Sequence, residues 1–180
     1  MNTLAERLAE TRYKISEECL RLVRKEPTLV VVTKNHPATL AEELFALGER
    51  NFGENRVQEA APKALELEEK TQSDSVNWHL IGQLQTNKVK QALQFANSIH
   101  SLDRDALLDE LVKRTEHRSS PLEVFIQINL THDEARGGLQ ESQLLRFASK
   151  VVLAPNLKLA GLMAVASLDA EPESDFERMA

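Results

Sequence analysis

A strand followed by a helix recurs along the chain, and this repetition constrains the fold more than any other feature. Short apolar or aromatic runs stand at positions 29–33, 51–53, 76–82, 97–102, 122–130 and 157–165. A helical pattern follows each run, as in DALLDELVKRTE. Spacings of about 20 to 35 residues suit crossovers between parallel strands, which need a dozen or more residues. The pattern therefore predicts an α/β fold with a parallel sheet.

Two architectures use such units: an open, doubly wound sheet and a (β/α)₈ barrel. No G-x-G-x-x-G motif follows the first strand, so the dinucleotide fingerprint of the open sheet is missing. This absence favours a TIM-type barrel. Such a barrel typically takes about 250 residues and eight units. We therefore expect residues 1–180 to form a single barrel domain with about six of the eight βα units.

Composition excludes several classes of protein. The net charge of −6 disfavours a general binder of nucleic acid, because such proteins concentrate lysine and arginine on one face. The single cysteine, Cys19, excludes an internal disulfide and a thiolate-rich metal site. Cys19 falls on the apolar face of an amphipathic helix predicted over residues 3–25, so we expect it in the core. A chain with one cysteine fits a reducing compartment, and the cytoplasm is the default.

No segment resembles a targeting or membrane-spanning sequence. The first residues, MNTLAERLAETRYKI, are charged and amphipathic, with no apolar stretch typical of a signal peptide. No run approaches the roughly 20 apolar residues that span a bilayer. Secretion and membrane insertion are both disfavoured.

Polar side chains stand at the carboxyl ends of the predicted strands, which is where α/β proteins carry their functional sites. Each of them alone has an ordinary structural interpretation, such as a hydrogen-bonded histidine or a polar layer in a barrel lumen. The set comprises Lys34, Glu54, Asn55, His79, Gln83, His100, Asp103, Gln127, Asn129, Met163 and Ser167.

Lys34 differs from the others because it ends the most apolar run of the chain. Residues 29–32 read as a strand that is buried on both faces. A lysine at the end of such a strand has few structural uses, and desolvation lowers the pKa of an amine, which exposes the lone pair that Schiff-base chemistry needs. No H-x-x-x-H, H-E-x-x-H, G-x-S-x-G or P-loop pattern offers a competing metal, hydrolase or nucleotide site.

A set of short motifs follows the strands in order along the chain: Lys34, FGEN (52–55), WHLIGQLQTNK (78–88), IHSLDR (99–104), IQIN (126–129) and GLMAV (161–165). Taken in order, these motifs closely resemble the pyridoxal 5′-phosphate (PLP) homeostasis protein family, the YggS-like or PROSC-like proteins. The resemblance covers essentially the whole chain, and the WHxIGxLQxNK signature is specific.

The resemblance implies a fold and a site. The fold is the barrel of the alanine racemase N-terminal domain, and the cofactor is pyridoxal 5′-phosphate. Lys34 corresponds to the lysine that forms a Schiff base with PLP. Asn55, His79 and Met163 correspond to wall residues around the cofactor ring. No catalytic or metal-binding residue is implied.

The sequence also departs from the family pattern. Arg136 stands where the family often has a lysine, and a guanidinium cannot form a Schiff base at neutral pH, although it can attract phosphate. The family also continues for roughly a further quarter of its length, with segments that cradle the cofactor phosphate. We hypothesise that this sequence is a shortened form of a longer barrel, or that another chain covers the edges of its sheet.

Three functions are compatible with these observations. The leading hypothesis is a non-catalytic PLP-binding protein of vitamin B6 and amino-acid homeostasis, expected by family resemblance to be a monomer and to serve apo PLP-dependent enzymes as partners. The second is an amino-acid racemase of the same scaffold. Racemisation needs two bases on opposite faces of the Cα proton, and the sole tyrosine, Tyr13, lies in the N-terminal helix. The third is a fragment that no longer retains PLP.

Overall fold

The computed structural model describes residues 2–71, 76–131, 136–166 and 172–179. Within these residues strands and helices alternate, as the sequence predicts. The strands are β1 (Val31–Val32), β2 (Asn51–Glu54), β3 (Asn77–Leu80), β4 (Ala96–Leu102), β5 (Leu122–Ile128) and β6 (Leu157–Ala164). The helices are α1 (Leu4–Arg21), α2 (Ala38–Ala46), α3 (Val57–Thr71), α4 (Val89–Ala92), α5 (Asp105–Thr115), α6 (Leu144–Leu153) and α7 (Pro172–Met179).

Strand order decides between the two predicted architectures. The strands form one sheet in the order β1-β2-β3-β4-β5-β6, and each neighbouring pair is parallel. A doubly wound sheet reverses its strand order at a switch point, whereas a barrel adds each new strand to the same side. The order has no reversal, so the sheet is that of a partial TIM barrel.

The core lies between the sheet and the helices. Side chains alternate along a strand, so Trp78 and Leu80 face the helices and His79 faces the opposite side of the sheet. On α5, Leu107, Leu108 and Leu111 are buried at helical spacing. A second, smaller cluster is formed by Ala41, Leu44, Phe52, Ala64, Leu67 and Trp78.

The first strand is shorter and more exposed than its sequence predicts. Only Val31 and Val32 form regular strand, and Val32 keeps 43% of its surface exposed. The prediction of a strand buried on both faces is wrong. The reason is that β1 is an outer strand of the described sheet and pairs only with β2.

The N-terminal helix also departs from its prediction. A capping box between Thr3 and Glu6 starts α1, but the helix has no buried residue. Leu4 and Leu8 pack against the smaller cluster, while Cys19 is only half-buried, with Sγ 3.9 Å from the Lys25 carbonyl oxygen. The placement of Cys19 in the core is therefore wrong. No helix in the described part of the chain is long and apolar enough to cross a membrane.

Candidate functional site

Lys34 lies in a tight turn that directly follows β1. The His36 N–H donates to the Thr33 carbonyl oxygen at 3.2 Å and closes the turn. Asn35 adopts a φ of 62°, a left-handed conformation that asparagine tolerates better than most residues. Lys34 is exposed. The expected desolvation of its amine is therefore absent, but the same exposure makes the amine accessible to a molecule in solution.

Beneath this turn lies a buried ionic cluster that the sequence did not reveal. Glu54 is fully buried, and it accepts hydrogen bonds at Oε1 from the Thr33 hydroxyl, at 2.7 Å, and from Lys63 Nζ. Lys63 comes from α3 and also donates to the Thr33 carbonyl oxygen at 2.8 Å. Glu54 therefore faces the helices and does not line the open end of the strands. The one sequence signal was a lysine at a helical position whose neighbours Ala60, Ala64 and Leu67 are apolar.

Asn55 follows β2 and is half-buried beside the end of β3. A Cβ atom placed on Gly82 would overlap with the Asn55 carbonyl oxygen. Only glycine at position 82 permits this approach, because it has no Cβ atom. The glycine of the WHLIG motif thus allows the ends of β2 and β3 to approach closely. β3 pairs with one side of β2, and β1, the strand that precedes Lys34, pairs with the other side.

His79 belongs to a hydrogen-bonded network within the sheet. Its Nε2 lies 3.1 Å from Asn51 Oδ1, an acceptor, so Nε2 carries the proton. The Ser98 hydroxyl then donates to His79 Nδ1 at 2.7 Å, and His100 Nε2 donates to Ser98 Oγ at 3.1 Å. The His100 ring also stacks on Phe125 with centroids 4.2 Å apart. The chain of donors from His100 through Ser98 and His79 to Asn51 is satisfied at each link.

Burial favours the neutral form of both imidazoles. Desolvation lowers the pKa of His79, against a smaller opposing effect of Glu123. Desolvation also lowers the pKa of His100 to about 4, and the neighbouring His79 acts in the same direction. Both rings line a cleft of about 560 Å³ with Val30, Asn51 and Glu123 among its walls. A neutral imidazole there can donate or accept a hydrogen bond without carrying charge.

The segment after β5 folds back over the carboxyl ends of the strands. Gln83 Nε2 donates to Gln127 Oε1 at 2.6 Å, and Gln127 Nε2 donates to the Gly137 carbonyl oxygen at 3.1 Å. The Gly138 N–H donates to Asp103 Oδ2 at 3.1 Å. Gln83, Gln127 and Asp103, each predicted at a strand end, are thereby brought together. Arg136 is half-buried at the start of the described part of this segment.

The remaining predicted residues lie farther along the sheet. Met163 is half-buried in β6, in register with Gln127, at the opposite side of the described sheet from β1. Asn129 is buried just after β5 and accepts hydrogen bonds from Thr131. Ser167 lies outside the described residues. Within the described ranges, no group of three or more His, Cys, Asp or Glu side chains could hold a metal ion.

Comparison with known proteins assigns the family. The family model of the alanine racemase N-terminal domain matches residues 10–180. The pyridoxal phosphate homeostasis protein of Escherichia coli strain K12 is 36% identical over 179 residues, which cover 98% of this chain and 76% of that protein. Its namesake in Pseudomonas aeruginosa is 35% identical over 182 residues, covering 100% of this chain and 75% of the relative. The chain belongs to the pyridoxal phosphate homeostasis protein family.

Solved structures agree with this family assignment. The structure of PipY from Synechococcus elongatus without PLP superposes with a TM-score of 0.84 at 32% identity, covering 98% of this chain and 77% of PipY. The structure of PipY with PLP bound gives a TM-score of 0.78. An alanine racemase from Clostridium difficile, at 11% identity and a TM-score of 0.63, shares the fold alone.

The residues of this chain fit such a cofactor. The fit is chemical: an accessible primary amine, Lys34, follows β1 at the carboxyl edge of the sheet, and the end of the neighbouring strand β2 carries an amide, Asn55. His79 lies within β3, and its ring bonds to Asn51 at the start of β2, so the structure does not place His79 at this edge. An aldehyde needs the amine, and a planar heteroaromatic ring with polar substituents needs uncharged donors and acceptors around it. The role of Lys34 and the individual contacts of Asn55, His79 and Met163 with a ligand stay predictions.

Proposed function

We propose that this protein holds pyridoxal 5′-phosphate on Lys34 and acts in the homeostasis of that cofactor without catalysing a reaction of its own. The observation that carries the proposal is the accessible Lys34 amine, fixed in a turn after β1 in a chain that shares its fold with PLP-bound PipY. The cofactor supplies an aldehyde that condenses reversibly with a primary amine, releasing one water.

The other predicted residues have supporting roles in this proposal. Asn55 offers hydrogen bonds to the ring substituents, while the His79 ring, whose two nitrogens bond to Asn51 and Ser98, and the Met163 thioether offer uncharged walls. Arg136 is a cation at the segment that covers the strand ends, where it can attract the cofactor phosphate. The setting we propose is the cytoplasm, with a monomeric protein and apo PLP-dependent enzymes as recipients.

The observation against a racemase concerns the second base. Racemisation needs two bases placed on opposite faces of one carbon, and Tyr13 is the sole tyrosine of the chain. Tyr13 lies on α1 with 64% of its surface exposed, and its hydroxyl donates to Glu17 Oε1 one helical turn away at 3.3 Å. Homologues that carry the homeostasis name at 36% identity, against 11% for the racemase, support the same conclusion.

A titration with PLP tests the proposal. The wild-type chain is expected to bind one equivalent, seen as a shift of the cofactor absorbance band, and Lys34→Ala is expected to lose that shift. Lys158→Ala is the control, because Lys158 is an exposed lysine in β6, away from the turn of Lys34, and its Nζ pairs with Glu123 at 2.7 Å. Equal shifts in Lys34→Ala and in wild type would contradict the proposal. Exchange of the alanine α-proton with deuterated solvent, together with interconversion of L- and D-alanine by the loaded protein, would instead establish a racemase.

A further inference from the structure

We propose that the buried pair of Glu54 and Lys63 is a positioning device for Lys34: the pair holds Thr33, the residue directly before Lys34, by its side chain and its backbone at once. This inference rests on the proposed function of Lys34. In this inference Glu54 and Lys63 influence the reactivity of the Lys34 amine through Thr33.

The device is visible in the contacts of Thr33. The Thr33 N–H donates to the Gly53 carbonyl oxygen at 3.0 Å, its hydroxyl donates to Glu54 Oε1 at 2.7 Å, and its carbonyl oxygen accepts from Lys63 Nζ at 2.8 Å. Lys63 and Glu54 also bond to each other, so the three residues form a closed triangle. Every polar group of Thr33 is therefore engaged, and Thr33 is fully buried.

Stability alone is a poor reason for this arrangement. Glu54, Lys63 and Thr33 are 0%, 6% and 0% exposed, so two charges have been taken out of water. Replacing a buried ion pair by apolar residues of similar volume is often neutral or stabilising, whereas breaking the pair leaves an unpaired charge. Among the described residues, moreover, Glu54 Oε2 is buried without a hydrogen-bond partner. The carboxylate thus receives both donors on one oxygen and leaves the other unsatisfied, at a cost in free energy.

The local backbone explains why such anchoring is needed. Only Val31 and Val32 of β1 form regular strand, and β1 pairs on one side only within the described sheet. An outer strand of two residues offers few ladder bonds to fix the turn after it. The carbonyl oxygen that Lys63 holds is also the one that accepts from His36 N–H to close the turn around Lys34 and Asn35. Lys63 therefore fixes the turn at its first residue.

Reactivity of Lys34 depends on this placement. A misplacement of a reacting group by about 1 Å can lower a rate by about 100-fold. The ionic cluster acts through geometry, since the pair is buried below the turn and Lys34 is exposed above it. Loss of the cluster is thus expected to slow attachment of PLP to Lys34 even where the fold is intact.

The test separates placement from stability with a pair of variants. Lys63→Met alone leaves the Glu54 carboxylate buried and unpaired, so it is expected to lower the urea concentration at which the chain unfolds. The double variant Glu54→Leu with Lys63→Met removes both charges and is expected to recover most of that loss. Lys70→Met is the matched control on the same helix, because Lys70 pairs with Glu42 and Glu66 at the exposed surface.

A second pair of variants perturbs the cluster through Thr33 and leaves both charges in place. Thr33→Val removes the hydroxyl that donates to Glu54, while Thr33→Ser retains it. The measurements for all variants are the midpoint of unfolding in urea and the rate at which PLP attaches to Lys34, followed by borohydride trapping and peptide mapping. Trapping reports attachment at a defined residue and needs no activity of the loaded protein.

The proposal predicts slow attachment in variants that remain folded. The double variant and Thr33→Val are expected to trap PLP at Lys34 about tenfold more slowly than wild type. This decrease is smaller than the loss of about 100-fold that a misplacement of about 1 Å can cause. Thr33→Ser and Lys70→Met are expected to match wild type. Wild-type rates in Thr33→Val and in a folded double variant would overturn the inference and leave the proposed function standing. If the double variant does not fold, the comparison of Thr33→Val with Thr33→Ser decides. Absence of attachment to wild type would overturn both.

Discussion

At the scale of single residues, the two histidines of the sheet carry the clearest pH dependence. Burial lowers the pKa of His79 and lowers that of His100 to about 4, below the ordinary histidine value of 6.5. Between pH 6.5 and about pH 4, His100 therefore binds a proton in the unfolded chain but not in the folded chain. The free energy of unfolding therefore decreases as the pH falls from 6.5 toward 4, and this contribution is fully present above 6.5.

The variant His100→Asn tests this assignment. It is expected to show a smaller decrease in the free energy of unfolding between pH 7 and pH 5 than the wild-type chain, because one histidine with a lowered pKa has been removed. Urea unfolding at the two pH values measures the difference, which is independent of the absolute stability of the variant. His36→Asn is the control for removal of a histidine outside the network, since His36 lies exposed in the turn that follows β1. Identical pH dependence in His100→Asn and wild type would contradict the assignment.

Sequence patterns predicted the position of Lys34 after the first strand better than they predicted the surroundings of Lys34 and Glu54. Lys34 stands directly after the first strand, as predicted, but it is exposed because a strand at the side of the described sheet cannot supply the burial that its apolar composition suggests. Glu54 was grouped with the polar strand ends, yet it faces the helices, because alternation along β2 places Phe52 and Glu54 on the same face. Its partner Lys63 comes from a helix, and no local pattern predicts that contact.

At the scale of secondary-structure elements, the ends of β2 and β3 make a close backbone contact. The Asn55 carbonyl oxygen occupies the space that a side chain at position 82 would need. Gly82→Ala must therefore separate the two strand ends, and we expect it to lower the free energy of unfolding by about 1–3 kcal/mol.

Gly53→Ala provides the comparison for this change. A Cβ atom at position 53 would meet methyl groups of Val30 and Val32 at 3.2 Å, and these side chains can give way more easily than a carbonyl. Urea unfolding should show a larger loss for Gly82→Ala than for Gly53→Ala. The reverse order would mean that the strand ends can separate at little cost.

The elements themselves were largely predictable. Apolar runs at 97–102, 122–130 and 157–165 became β4, β5 and β6, because a strand run is set by local composition and by the helices that cover it. Gly48 follows α2 with a φ of 95°, as its sequence position indicates. The limits of α1 and the burial of Cys19 were less predictable, since both depend on the surface against which the helix packs.

At the scale of the whole molecule, the strand order is the property that the sequence constrained least directly. Repeated βα units allow both an open sheet and a barrel, and the absence of a dinucleotide motif favoured the barrel only indirectly. The unreversed order of six parallel strands and the likeness to PipY agree on the barrel type. Because all neighbouring strands are parallel, the carboxyl ends of β1 to β6 lie along one edge, where the turn of Lys34 and the segment of Gln127 and Gly137 lie.

We propose that a single lysine of this chain, Lys34, holds the cofactor. Borohydride reduction of the wild-type chain after incubation with PLP, followed by mass determination of the intact chain and of its peptides, is the measurement that decides. We predict a single pyridoxyl adduct on the peptide that contains Lys34. Labelling spread over the exposed lysines, or no adduct at all, would contradict this proposal.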